Sequence, residues 1–156
     1  MERAIIRPAC ENDIISIEQL QRQWCDENIT WGFIPDTVEG INSYVGNYCY
    51  VAEADSKLVG FITGLVTPKP DMAALPADRP CLDVADLYVV PSYRSHGIGS
   101  SLLNSLIAAA NTSGITCFRL YSGTKNIARV ISFYERHGFS VVNVNMVRTL
   151  SQVEES

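Results

Sequence analysis

Apolar positions follow two alternating periods along the chain. Short β-branched runs with alternating sides give way to stretches with apolar residues three and four apart. Residues 4–7 (AIIR) predict a short strand ended by Pro8. Asn12 or Asp13 can cap a helix whose stripe is Ile14, Ile17, Leu20 and Trp24. A polar and aromatic stretch, residues 25–35, leads to a second short helix with Val38, Ile41 and Val45 on one side, and Asp36 and Glu39 stand before it at capping-box spacing. Residues 48–54 and 57–67 predict two strands joined by a tight polar turn, a hairpin. Residues 67–80 hold four of the seven prolines and predict a loop. Residues 81–90 predict a strand, followed by a helix to about residue 111 bearing Ile98, Leu102, Leu103 and Leu106, with Gly114 near its end. Residues 115–121 predict another strand. A turn at 122–124 then opens a helix with Ile127, Val130, Ile131 and Tyr134 on one stripe, stopped by Gly138. Residues 139–144 and 146–150 predict two final strands, and residues 151–156 a frayed tail.

The order β α α β β β α β α β β has no repeat, low-complexity block or linker. It predicts a single α/β domain over residues 1–156 with a mixed sheet of about seven strands. The 47% apolar content suffices for a real core. No apolar run is long enough to span a bilayer, and the start MERAIIRP is charged where a signal peptide is apolar, so a cytoplasmic protein with no membrane partner is expected. The cysteines (Cys10, Cys25, Cys49, Cys81, Cys117) are odd in number and widely spaced, without CxxC; reduced, mostly buried thiols are expected. With two histidines, no metal site is expected. The net charge of −5 argues against nucleic acid and is compatible with a cationic amine.

The stretch 89–103, VVPSYRSHGIGSSLL, reads as strand, glycine-containing turn and helix start. A helix start has unpaired N–H groups and partial positive charge, which suit an anion. Gly97 and Gly99 let a phosphate approach the backbone, and Arg94 adds a permanent positive charge. A dinucleotide fingerprint is incomplete, since its last glycine position is Leu102, and the Gly-Lys-Ser/Thr of a P-loop is absent.

The hexapeptide Arg94–Gly99 resembles R/Q-x-x-G-x-G/A, the acyl-CoA pyrophosphate loop of the GNAT (GCN5-related) N-acetyltransferases. Asp86, Leu87, Tyr88 and Val89 resemble the fourth strand of that family. The run from Phe133 to Phe139 is similar to its F-Y-x-x-x-G-F segment. The likeness extends over nearly the whole chain and implies the GNAT fold, with helices on both faces of the sheet. It also implies acetyl-CoA as co-substrate. Its pyrophosphate would lie on the N–H groups of Ser95, His96, Gly97, Ile98, Gly99 and Ser100, with Arg94 supporting the turn. Its pantetheine arm would lie along Leu87, Tyr88 and Val89, with a backbone N–H near Val89 facing the thioester oxygen. Where the family often has a CoA-contacting Asn, this chain has Ile127; Asn126, one place off, is the candidate.

The same resemblance makes Tyr134 the general acid for the departing thiolate, against the alternative of a packed core tyrosine. For the general base, Asp83 and Asp86 lie three apart, so a regular strand puts them on opposite faces unless a bulge intervenes. Family pattern favours Asp86, which would also meet the acceptor; Ala85 stands where some relatives carry Glu, and Glu53 is a more distant candidate. His96 reads as a solvated loop residue and His137 as a helix-end residue. Trp31 and Phe33 are candidate acceptor contacts, Tyr44 lies in the same region, and Trp24 reads as packing. The expected activity is direct transfer of an acetyl group to a primary amine of a small acceptor. The alternatives are a non-catalytic acyl-CoA sensor and a protein N-terminal or lysine acetyltransferase. Dimers through the final strands are common among such relatives.

Overall fold

The computed structural model describes residues 3–150 apart from residues 72, 74, 76 and 77; the expected tail at 151–156 lies outside the described residues. Five strands form one sheet in the order β1 (Ile5–Pro8), β2 (Tyr48–Ala54), β3 (Lys57–Thr67), β4 (Cys81–Val89), β5 (Cys117–Leu120). β1 to β4 pair antiparallel and β4 pairs with β5 in parallel. Parallel pairing demands a crossover, which α3 (Ile98–Thr112) supplies. The β2–β3 hairpin closes on Asp55 and Ser56 at φ 50° and 59°, the two-residue turn whose twist matches its strands.

Two apolar clusters sandwich the sheet. Ile14, Ile17 and Leu20 of α1 (Ile14–Glu27) and Ile41 of α2 (Val38–Asn42) bury against Val51, Phe61 and Tyr88. Leu102, Leu103 and Leu106 of α3 bury against Ala52, Ile62, Leu82 and Val84, and Phe133 and Tyr134 of α4 (Ile127–Glu135) pack beside them. Gly138, at φ 83°, turns the chain out of α4, with Phe139 N–H returning to Tyr134 O at 3.1 Å.

The α/β fold and mixed sheet are as expected, but five strands are present among the described residues rather than seven. Residues 139–150 form no ladder, and Val144, Met146, Val147 and Leu150 are exposed. An alternating pattern names the face a strand would bury; it does not supply the neighbouring strand. The cap of α2 also differs. Thr37 Oγ1 accepts from Gly40 N–H at 3.2 Å, while Asp36 is drawn to α1 instead. The cysteines depart from a fully reduced set. Cys81 and Cys117 face each other in the β4–β5 register and form a disulfide, Cα–Cα 4.5 Å. Of the other three only Cys49 is buried.

A polar clamp ties β1 to its surroundings. Arg7 donates to both carboxylate oxygens of Asp13 at 2.7 and 2.9 Å, and to Glu53 at 2.8 and 3.0 Å. Glu53, a candidate base in the sequence, therefore does structural work. The Arg7 hydrogen bond, working against burial and helped by Cys10 N–H, holds the Asp13 carboxyl down at about 2. A depressed carboxylate contributes stability above its unfolded value and loses it as pH falls through the folded one. Asp13→Asn is expected to cost about 2 kcal/mol at pH 7 by urea denaturation, with the difference from wild type fading between pH 4 and pH 2.

Candidate active site

β4 is bonded to β5 only from Cys81 to Val84, although it continues to Val89. Beyond that point the strands part, and the unpaired edge of β4 faces the turn after β5 across a cleft of about 940 Å³. The ladder to β3 slips at the same place. Thr63 pairs with Asp86 and Gly64 with Val84, so Ala85 is left without a partner. The bulge changes the parity of β4. Val84 stays in the α3 cluster, whereas Asp86 and Tyr88 turn to the α1 face.

The anion end of the cleft is the turn into α3. The first helical bond runs from Ser101 N–H to Gly97 O at 3.0 Å, and no side chain caps the helix. The N–H groups that precede it are not consumed by the helix. Ser95 (φ 65°) and Gly97 (φ 80°) both take the left-handed conformation that folds this turn. Gly99 is apposed to Phe133 of α4, 3.6 Å from where its Cβ would stand. Ser95, Gly97, Ile98, Gly99 and Ser100 line the cleft. His96 points away to solvent, its Nδ1 2.7 Å from Arg94 O. Arg94 braces the turn, donating to Val89 O at 2.7 Å. Its charge, however, is paired: Nη2 meets Glu27 at 2.8 Å, the guanidinium lies over the Tyr88 ring, and Tyr88 O–H also donates to Glu27.

Asp86 and Tyr134 line the same cleft. Burial, then the charge of Asp36, push the Asp86 carboxyl up to about 6, against a hydrogen bond from Gln21 that lowers it. Burial and the nearby Asp86 charge raise the Tyr134 phenol above its ordinary value, so it keeps its proton at neutral pH. Asp83 does not join them. The bulge puts it on the same face as Asp86, but its carboxylate is held by Arg119 and by Thr67 at 2.5 Å, at the closed end of the β4–β5 pair. Asn126 borders the cleft as the cap of α4, its Oδ1 accepting from Arg129 N–H at 3.3 Å.

The aromatic wall is denser than the sequence indicated. Trp24 stacks on Phe33 (centroids 4.2 Å) and on Tyr88 (5.5 Å), so it lines the cleft as well as packing. Trp31 is 71% exposed, and Lys125 Nζ already stands 4.6 Å over its ring. Its loop is strapped to the turn after β5: Trp31 N–H donates to Gly123 O at 2.7 Å and Lys125 N–H to Ile29 O at 2.9 Å. Trp24 Nε1 donates to Thr30 at 2.9 Å beneath the strap. Sequence reasoning missed Gln21, Glu27, Asp36 and the strap. A glutamine on an apolar stripe between Ile17 and Trp24 was the available signal for the first.

The acetyltransferase (GNAT) family model matches residues 15–139. An uncharacterised N-acetyltransferase of Methanocaldococcus jannaschii is 31% identical over 90 residues, which span 58% of this chain and 38% of that protein. Among solved structures, the aminoglycoside acetyltransferase AAC(6')-Iy in complex with a bisubstrate analogue has a TM-score of 0.75 at 16% identity, covering 96% of this chain and 100% of that one. A predicted acetyltransferase with acetyl-CoA from Clostridium acetobutylicum has a TM-score of 0.70 at 19% identity, covering 94% and 96%. An aminoglycoside acetyltransferase from an uncultured soil metagenomic sample has a TM-score of 0.70 at 21% identity, covering 95% and 97%. At these identities the structures establish the fold.

A carboxylate raised on folding opposes stability once ionised. That penalty is absent below pH 4 and complete above about pH 6. Asp86→Asn is therefore expected to be more stable than wild type by about 3 kcal/mol at pH 8 and equal to it near pH 3.5, measured by urea denaturation. Equal stabilities at pH 8 would contradict the raised carboxyl.

Proposed function

The chain belongs to the GNAT acetyltransferase family, and from that premise we propose that it transfers the acetyl group of acetyl-CoA directly to a primary amine of a small cationic acceptor. The carrying observation is that one cleft joins the unspent N–H groups at the α3 start, the unpaired edge of β4, and both Asp86 and Tyr134. An anion at one end, an extended arm along the strand and a reacting group at the other end would each meet matching chemistry.

In this reading the pyrophosphate rests on the turn 95–100 and the pantetheine arm lies along Leu87–Val89. Asp86 takes a proton from the acceptor ammonium, directly or through water. A carboxyl near 6 is ionised at neutral pH and still a competent base. The free amine attacks the thioester carbon, and a backbone N–H near Val89 stabilises the oxyanion. As the intermediate collapses, the C–S bond breaks and the nitrogen sheds its second proton to water, from which the Tyr134 phenolate is reprotonated. Tyr134 gives its phenolic proton to the leaving thiolate and regains one afterwards. No cysteine lies in the motifs, which favours a ternary complex over an acyl-enzyme.

The acceptor side supports a cation of modest size. Asp86 lines the cleft, Asp36 stands behind it through Gln21, and Trp24 and Phe33 present stacked rings. The net charge of −5 points the same way. Two solved structures with the same fold are named as aminoglycoside acetyltransferases.

Tyr134→Phe is expected to retain acetyl-CoA binding by calorimetry and to lower kcat about 10- to 1,000-fold in a thiol-release assay over an amine panel. Unchanged turnover would remove Tyr134 from the mechanism. If acetyl-CoA binds and no amine is acetylated, the sensor reading replaces the enzyme. Separately, Gly97→Glu adds a side chain to the turn at a position where a Cβ would meet no atom within 4 Å beyond its chain neighbours, at the cost of holding a non-glycine residue at φ 80°. It is expected to abolish acetyl-CoA binding while the far-UV circular dichroism stays unchanged; normal binding would refute the phosphate turn.

A further inference from the structure

Gln21 is the most deeply buried amide of the described residues, 1% exposed on the sheet-facing side of α1. Its Oε1 accepts from Asp36 N–H at 2.6 Å. Its Nε2 lies 3.2 Å from Asp36 Oδ2 and 3.2 Å from Asp86 Oδ2. A backbone N–H can only donate, so it fixes which end of the side chain is oxygen. Both Nε2 hydrogens then face carboxylates. Two acids from distant parts of the chain thus share one amide group.

The remaining neighbours of Asp86 carry no charge. Burial first, and nearby acids including Asp86 after it, raise Tyr44 beyond α2, Cys49 of β2 and Tyr134 of α4, so they stay protonated. Thr63 of β3, its partner across the ladder, contributes a buried hydroxyl that lacks a hydrogen-bond partner. Asp36 is therefore the charged group acting on Asp86. It follows Phe33 in the loop that carries Trp31 and Phe33.

We infer that Gln21 and Asp36 are positioning residues for Asp86: the Gln21 amide holds and favours the carboxylate, the like charge of Asp36 opposes it, and the shared amide ties the acceptor loop to the proton acceptor. The role in catalysis rests on Asp86 being the base. The two effects have opposite signs, which a merely structural role does not produce. The Asp86 Oδ2 is engaged by the amide, leaving Oδ1 as the oxygen that meets an ammonium. A shift of the acceptor loop moves the Asp36 N–H that orients Gln21, and through it the Asp86 carboxylate.

The test is a carbon-13 NMR titration of the Asp86 carboxyl in the full-length protein, beside the pH profile of kcat/KM for the best amine. Asp36→Asn keeps the backbone N–H and an acceptor oxygen while removing the charge; it is expected to lower the Asp86 midpoint by about one unit. Gln21→Met removes the donor and is expected to raise it by about one unit. The acid limb of kcat/KM is expected to move with each. An unmoved midpoint in Asp36→Asn, or movement of both variants in one direction, overturns the inference; the first outcome stands even if Gln21→Met fails to fold. Midpoints that move as expected while the acid limb stays fixed support the coupling and overturn Asp86 as the base.

Discussion

The slip in the β3–β4 ladder at Ala85 is the constraint on which the cleft depends. In an unbroken strand the alternation that seats Leu82 and Val84 in the α3 core would carry Asp86 into the same apolar layer, with a charge and no partner. One unpaired residue reverses the parity. Asp86 and Tyr88 then face α1, where Gln21 and Glu27 can hydrogen-bond them. The β4–β5 ladder stops at Val84, beside the slip, so the strand edge that would otherwise be consumed by β5 is left open to the cleft.

The cleft is electrically asymmetric, and its positive end is not where the side chains suggest. Arg94 is the only guanidinium in the turn, yet Glu27 neutralises it, and it serves to brace Val89 O. The turn itself presents the backbone N–H groups ahead of the first α3 bond, and Arg129 and Arg136 also line the cleft. The opposite end is acidic through Asp86 and Asp36. Holding those two carboxylates near one amide opposes folding once both ionise, which is the usual relation between a tuned acid and stability. The Arg7–Asp13–Glu53 clamp works in the other sense, since the Asp13 carboxylate is stabilised by a cation.

Local patterning made most of the fold legible. Stripes on Ile14, Ile17 and Leu20, and on Ile98, Leu102 and Leu106, bury where expected, because a helix needs only its own periodicity to mark an inward face. The polar Ala54–Lys57 turn forms the expected hairpin for the same local reason. The turn into α3 was legible as a turn because its glycines and the helical spacing that follows sit within a few consecutive residues. Asp83 and Asp86 were not separable, since the parity of β4 depends on a bulge that no local signal fixes. The two expected C-terminal strands failed on the same principle: a ladder needs a neighbour, and Val144 or Met146 cannot name one. Gln21, Asp36 and Glu27 act across 15 to 67 residues of chain, so only folding brings them to the site.

The width of the cleft is set by clamps at both ends. Below, the Cys81–Cys117 disulfide and the Arg119–Asp83–Thr67 cluster reinforce a ladder of only four residue pairs, so β5 cannot drift from β4 where they touch. Above, the Thr30–Thr124 bridge and the Trp31–Gly123 bond join the loop after α1 to the turn after β5. Between the clamps the strands are free of each other. A gap held open from both sides keeps its hydrogen-bonding edge available without rearrangement, and binding then costs less ordering of the protein. The same upper clamp carries Trp31, Phe33 and Asp36 on one loop. The geometry of the opening and the proton affinity of Asp86 are therefore consequences of a single packing arrangement.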